Sequence, residues 1–256
     1  MINVLAIPAL SDNYIWLLHR EQQRDCVVVD PGEAGPVLDC LRERNLHLRA
    51  VLLTHHHGDH VAGVDALVSN RDIPVYGPAR ERIGGCSHPV DDGDRVAIPE
   101  LEVNFQVLHV PGHTAGHIAY VGAGMLFAGD TLFAGGCGRL FEGTPEQMLR
   151  SLDQLADLPD NTAVYCGHEY TEANLRFANR VDPHNRALAE RLRQVIQQRQ
   201  NGQCTLPSRI GLERQTNPFL RSDNPQVRQA TEALVGHSLP SRLDVFTAVR
   251  ALKDAA

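Results

Sequence analysis

The chain contains one lysine, Lys253; every other cationic side chain is arginine, and nowhere do the basic residues form a run. With a formal net charge of -7, it lacks the clustered positive surface that neutralises a phosphate backbone, so a nucleic-acid partner is excluded. No apolar run approaches the roughly 20 residues that span a bilayer, and residues 1–10 lack a basic segment leading into an apolar one. A cytoplasmic protein without a membrane partner is expected. Six cysteines (Cys26, Cys40, Cys86, Cys137, Cys166 and Cys204) never form a C-x-x-C pair, which argues against a zinc clip or dithiol motif. They read as free, buried thiols, with Cys137 a small packing residue rather than a nucleophile. Low-complexity stretches and short-period repeats are also missing, and 43% hydrophobic with 21% charged residues is the balance of an ordinary globular protein.

At 256 residues the chain exceeds a typical single core, and two unequal domains are predicted, 1–170 and 171–256. Short strands are expected at Asn3–Ile7, Tyr14–Leu18 and Cys26–Asp30, the last closed by Pro31-Gly32. Helical spacing over Glu33–Leu46 precedes a buried strand, Leu48–Leu53, and a helix carrying Val61, Val64, Leu67 and Val68 follows. Further strands are read at Ile73–Tyr76, Val103–Val110, His117–Val121, Met125–Ala128 and Ala163–Cys166. Thr144-Pro145-Glu146-Gln147 is a capping box with proline at the first helical position, predicting a helix to about Leu158. From Tyr170 onward the pattern is helical with little strand signal. One helix starts at Asp182-Pro183 and ends at Gly202; two more lie around Val227–Val235 and Leu243–Leu252.

The chemistry is concentrated in Thr54-His55-His56-His57-Gly58-Asp59-His60, directly after a buried strand. In an extended segment side chains alternate, so His55 and His57 project to one side and can grip a cation, while His56 points away. Beyond Gly58, Asp59 and His60 can turn toward a second cation. Three more apolar strands run into glycine-bearing turns that present a ligand: Pro111-Gly112-His113, Gly129-Asp130-Thr131 and Gly167-His168-Glu169. A carboxylate such as Asp130 has two oxygens and can bridge two ions, whereas each imidazole serves one. His109 reads as a core histidine; His117 is either a support for a ligand or structural.

The H-x-H-x-D-H run with a later His, Asp and His resembles the metallo-β-lactamase superfamily. The resemblance implies an α+β fold, a four-layered αββα metallo-β-lactamase sandwich, here followed by a smaller C-terminal α-helical domain. It also implies that His55, His57 and His113 hold one metal, that Asp59, His60 and His168 hold the other, and that Asp130 bridges them. The flanking segments Ser11-Asp12-Asn13-Tyr14, Gly129-Asp130-Thr131-Leu132-Phe133, Gly136-Cys137-Gly138-Arg139, Phe141-Glu142-Gly143-Thr144, Gly167-His168-Glu169-Tyr170-Thr171 and Asn217-Pro218-Phe219-Leu220-Arg221 are similar to the glyoxalase II family within it. By that likeness glutathione is held by Arg139, Phe141, Tyr170, Phe177, Arg250 and Lys253. Some members of the family have Lys and Tyr in place of Arg139 and Phe141.

The implied substrate is a glutathione thioester, S-(2-hydroxyacyl)glutathione and typically S-D-lactoylglutathione, cleaved by a monomer carrying two divalent ions. Every expected ligand is His or Asp, which suits zinc, iron or manganese. Water between two divalent cations is acidified to a pKa of about 7, so a bridging hydroxide attacks without a side-chain base, and Asp59 orients it. Two divalent ions less Asp59, Asp130 and hydroxide leave a charge of about +1 for the oxyanion. A thiolate, with a pKa near about 8.5, leaves without a strong acid. Two readings compete: a glutathione persulfide dioxygenase, which uses one iron and lacks the helical domain, and another hydrolase of the same scaffold.

Overall fold

A computed structural model describes residues 2–69 and 71–256. The chain divides into two compact units, one running to His109 with Ala115–Gly129, the other comprising Val110–Thr114 with Asp130–Ala256.

The first unit opens on a hairpin, β1 (Ile2–Ala9) and β2 (Asn13–Arg20), followed by β3 (Asp25–Val29), α1 (Ala34–Arg44) and β4 (His47–Leu52). One-turn helix α2 (Gly58–Val61) and short α3 (Val64–Val68) come next, then β5 (Val75–Pro78) and β6 (His88–Val90). These strands form one sheet in chain order, antiparallel from β1 to β3 and parallel from β3 to β6. A central parallel strand is covered on both faces, which is why β4 reads as an apolar run and why Ala50, Val51, Leu52 and Leu53 are all buried. Helix α1 lays Val37 and Leu41 on a core that includes Ile15, Leu17, Val28, Val51 and Leu67.

A second, antiparallel group of strands follows: β7 (Arg95–Ile98), β8 (Val103–His109), β9 (Ile118–Gly122) and β10 (Met125–Gly129). Phe105, Tyr120 and Phe127 meet edge to face on it. The buried Tyr120 hydroxyl donates to the Leu53 carbonyl at 3.0 Å, tying β9 to the chain just before the histidine run.

In the second unit a two-stranded turn, β11 (Leu132–Phe133) and β12 (Gly136–Cys137), leads to α4 (Pro145–Ala156), β13 (Ala163–Cys166), α5 (Thr171–Val181) and α6 (Arg186–Gln200). The chain ends through β14 (Ser208–Arg209), α7 (Ile210–Thr216), α8 (Pro225–Val235) and α9 (Arg242–Asp254). Helices α5 and α6 pack through Leu175, Ala178, Leu188 and Val195. Arg191 is buried on α6, and its charge is met by Glu213 of α7 at 2.6 Å. Glu213 also accepts from Gly135 N, and Asn217 donates to the Phe133 and Gly136 carbonyls. The Asn-Pro-Phe segment thereby fixes the turn that precedes Arg139.

The architecture departs from the sequence pattern in identifiable places. The expected helix over residues 61–68 is two pieces interrupted at Ala62-Gly63, where Gly63 N turns to Pro31 O. Strand β5 begins two residues later than expected, after Pro74, which has no N–H for a ladder. Strands β6, β7, β11 and β12 were not expected, being two to four residues long. Helix α6 starts from Asn185, whose side chain accepts from Leu188 N, rather than at Asp182-Pro183. The helical C-terminal region contains a short strand, β14, paired with β13. The capping box at Thr144 forms as read, with both reciprocal hydrogen bonds. Among the described residues no helix is long and apolar enough to cross a membrane.

Candidate metal centre

The end of β4 delivers the first group of expected ligands. His55 and His60 are buried with ring centroids 4.2 Å apart, and His57 meets His55 edge-on at 4.8 Å. One-turn helix α2 carries Asp59 and His60, bringing the His60 Nε2 to 3.4 Å from Asp59 Oδ2. Asn13, at the start of β2, donates to Asp59 Oδ2 at 3.0 Å and to its carbonyl, so the S-D-N-Y segment holds this carboxylate. His56 turns the other way, its Nδ1 2.9 Å from Glu81.

Asp30, the last residue of the strand expected at Cys26–Asp30, organises these histidines. It is 4% exposed and adopts a left-handed backbone, φ 52°, at the tip of β3. Its Oδ1 accepts from Thr54 N at 2.8 Å, and its Oδ2 from Thr54 Oγ1 at 2.7 Å; His60 Nδ1 lies 3.1 Å from Oδ2. Although Asp30, His55 and His60 offer donor atoms within 4.8 Å of one another, the Asp30 oxygens are spent on these supports. Because the single Thr54 hydroxyl proton goes to Asp30, that hydroxyl can only accept from His55 Nδ1, 3.0 Å away. His55 and His60 are thus both held as Nδ1–H tautomers with the Nε2 lone pair forward, the form that ligates a metal. In the sequence the one mark of Asp30 is that Asp30-Pro31-Gly32 closes a strand.

In the second unit His113 and His168 face one carboxylate. Their Nε2 atoms lie 3.5 and 3.2 Å from the same oxygen of Asp130, which is 6% exposed. The His113 Nδ1 is 2.8 Å from the Arg139 carbonyl, an obligate acceptor, so its tautomer is fixed in the same sense. Two glycines allow Asp130 its place. Gly129 has φ +48° and a Cβ there would lie 2.3 Å from Thr54 Oγ1; one on Gly138 would lie 2.0 Å from the Asp130 carbonyl.

The residues expected to meet substrate fall in the second unit. Phe141 is 61% exposed with its ring edge-on to His113, and Tyr170 stacks flat on His168, centroids 4.6 Å apart. Phe177 is buried and stacks on Phe219, whose other neighbours are Phe246 and the Arg250 guanidinium. Lys253 reaches over the Phe177 ring at 5.5 Å; burial, then Arg250, holds its amine below the ordinary lysine range. Arg139 and Arg250 both bond Asp254.

The neighbouring histidines and cysteines have structural places. His109 is not a core residue: it is half-buried and holds the turn ahead of it, with Nε2 3.0 Å from the Ala115 carbonyl. His117 is buried and stacks on His55 at 4.6 Å. The Cys137 thiol is pushed up to about 11 by burial, against the pull of Arg250, which suits a packing role. All six cysteines are free.

A donor set of imidazoles, three of them with Nε2 lone pairs presented, beside carboxylates and without thiolates, fits hard-to-borderline divalent ions. Comparison with known proteins agrees with this chemistry. The family described as the metallo-beta-lactamase superfamily matches residues 11–168, and that described as hydroxyacylglutathione hydrolase C-terminus matches residues 169–256. A protein of Alkalilimnicola ehrlichii named hydroxyacylglutathione hydrolase is 55% identical over 254 residues, covering 99% of both chains. Among solved structures, ETHE1 from Myxococcus xanthus is 27% identical with a TM-score of 0.64, covering 100% of this chain and 99% of its own. The protein TTHA1623, crystallised in a di-iron-bound form, is 28% identical with a TM-score of 0.58, covering 85% of this chain and 100% of its own. The fold is therefore the expected α+β metallo-β-lactamase fold with a helical C-terminal region, and the chain belongs to the hydroxyacylglutathione hydrolase family.

Proposed function

We propose that this chain is a thioesterase that hydrolyses S-(2-hydroxyacyl)glutathione, typically S-D-lactoylglutathione, to glutathione and a 2-hydroxy acid in methylglyoxal detoxification. The likeness to a hydroxyacylglutathione hydrolase over 99% of both chains carries this reading. His55, His57 and His113 would hold one divalent ion, Asp59, His60 and His168 a second, and Asp130 would bridge the two. The convergence of His113 and His168 on one Asp130 oxygen supports that bridge. Zinc suits the donors, as do iron and manganese. When bound, such a pair supplies hydroxide at neutral pH and positive charge for the developing oxyanion.

The chain's own residues do the rest. Asp59, clamped by Asn13, would accept a hydrogen bond from the attacking hydroxide and orient it. Asp30 and the Arg139 carbonyl keep the imidazole tautomers fixed, so no ligand is lost to a ring flip. Phe141 and Tyr170 supply exposed apolar surface beside His113 and His168 for the acyl and cysteinyl parts. Residues 171–256, with Arg139, Phe177, Arg250 and Lys253, form the region that recognises the anionic peptide. The thiolate departs unaided because thiols are acidic enough, near about 8.5. The enzyme acts in the cytoplasm as a monomer.

Metal analysis together with an S-D-lactoylglutathione hydrolysis assay tests this. Close to two ions per chain and loss of activity on chelation, regained on readdition, are expected. Full activity with one ion per chain would exclude the dinuclear arrangement, and oxygen consumption with glutathione persulfide in place of hydrolysis would overturn the thioesterase assignment.

A further inference from the structure

The last residue of α9, Asp254, is bound by two arginines that arrive from separate places. Its Oδ1 accepts from Arg139 Nε at 3.1 Å and from Arg250 Nη2 at 3.1 Å, and its backbone carbonyl accepts from Arg139 Nη2 at 3.4 Å. The two cations differ in how firmly they are otherwise held. Arg250 is 6% exposed, with Nη1 on the Cys137 carbonyl at 2.7 Å and its guanidinium over Phe219 at 5.1 Å. The Arg139 side chain is 54% exposed, and Asp254 is the only residue that its side chain bonds among those described. A long exposed side chain loses rotamer freedom when it binds an anion, unless something has already fixed it.

We propose that Asp254 is a positioning residue for substrate recognition: it fixes Arg139 by its side edge so that the end-on edge meets a carboxylate of the peptidic thioester. The hydrogen count supports this. A guanidinium has five N–H groups in a rigid plane. Asp254 takes Nε–H and one Nη2–H, which leaves both Nη1–H groups and the second Nη2–H. One Nη1–H and that Nη2–H form the end-on pair that binds a carboxylate in bidentate fashion. The Asp254 carbonyl lies at the C-terminal end of α9, where the helix dipole adds negative potential for Arg139. Charge agrees as well. Arg139, Arg250 and Lys253 against Asp254 leave about +2, matching the two carboxylates of a glutathione thioester. In this arrangement Arg250, anchored on Cys137, holds Asp254, and Asp254 holds Arg139. The relay uses arginine geometry that a lysine at position 139 lacks, since an ammonium has no second edge.

The inference rests on Arg139 being a substrate contact, and the experiment separates the two ideas. Asp254→Ala, Asp254→Glu and Arg139→Ala are compared on S-D-lactoylglutathione and on a lactoyl thioester of N-acetylcysteamine, which has no carboxylate. Asp254→Ala should raise KM for the glutathione thioester about fivefold with kcat within twofold, leave the small thioester unaffected and keep metal content constant. Asp254→Glu should restore most of the KM, which a merely structural loss at a helix end would not show. An unchanged or lowered KM in Asp254→Ala, with Arg139→Ala raising it, overturns the positioning role and leaves Arg139 as a contact. An unchanged KM in both removes Arg139 from recognition altogether.

Discussion

Asp30 takes hydrogen bonds from Thr54 N and Thr54 Oγ1 and faces His60 Nδ1, so its loss would free two imidazoles at once. Asp30→Ala should lower metal affinity about 10- to 100-fold, the usual effect of removing a group that orients a ligand. Metal titration of the apoprotein checks this, and activity should largely return at saturating metal. A variant that binds metal normally would show that the Asp30–Thr54–His55 chain does not set the tautomers. Asp130→Ala, at the carboxylate faced by both His113 and His168, should abolish activity and metal retention, whereas His56→Ala should leave both near wild type. Equal losses from the two would mean that the inward and outward faces of the histidine run had been exchanged. Alternation along the chain sufficed to read His56 as outward, because side chains of extended residues reverse at each step. Asp30 escaped the same reading because its role comes from strand adjacency: β3 and β4 are parallel neighbours separated by α1, and no local pattern records that pairing.

At the scale of elements, long periodic segments were legible and short ones were not. Helix α4 announces itself by its cap, since Thr144 and Gln147 satisfy each other's backbone partners and Pro145 has no N–H to satisfy. Thr144→Ala should therefore cost about 1 kcal/mol in a denaturant titration without altering kcat or metal content. A loss of activity at unchanged stability would instead tie this cap to the neighbouring Gly112–Gly143 contact beside His113. Strands of two to four residues such as β6 and β12 carry too few positions to show alternation. They exist because partners supply their hydrogen bonds: β12 is fixed by Asn217, 81 residues away along the chain. The interruption between α2 and α3 is likewise tertiary, set where Gly63 meets Pro31 rather than by any break in the apolar spacing.

For the molecule as a whole, an acidic protein must bind an anionic peptide, and its single lysine bears on how. With a net charge of -7 the chain offers no general attraction, so recognition has to be local. Lys253 is half-buried, one turn beyond Arg250 on α9, with its Nζ over the Phe177 ring. Burial and the nearby Arg250 lower its pKa, which means that the folded protein disfavours the charged amine relative to the unfolded chain. The sign follows from linkage. A depressed amine costs stability while both states are protonated, and the cost fades as pH rises through the folded and then the unfolded pKa. Lys253→Ala should accordingly leave Tm at neutral pH unchanged or slightly higher, because the contact with Phe177 only partly offsets the desolvation. A carboxylate arriving beside the amine reverses the balance, so the unfavourable charge becomes a binding contact. The same variant should raise KM for S-D-lactoylglutathione about 5- to 30-fold, equivalent to about 1 to 2 kcal/mol for a charge-assisted hydrogen bond, with kcat and metal content little changed. Arg250→Ala should raise KM similarly but lower Tm, since Arg250 also bonds the Cys137 carbonyl. Kinetics with the glutathione thioester, set beside thermal unfolding of the same preparations, separate the two residues. A fall in Tm for Lys253→Ala with no rise in KM would show that the lone lysine serves the fold and not the substrate.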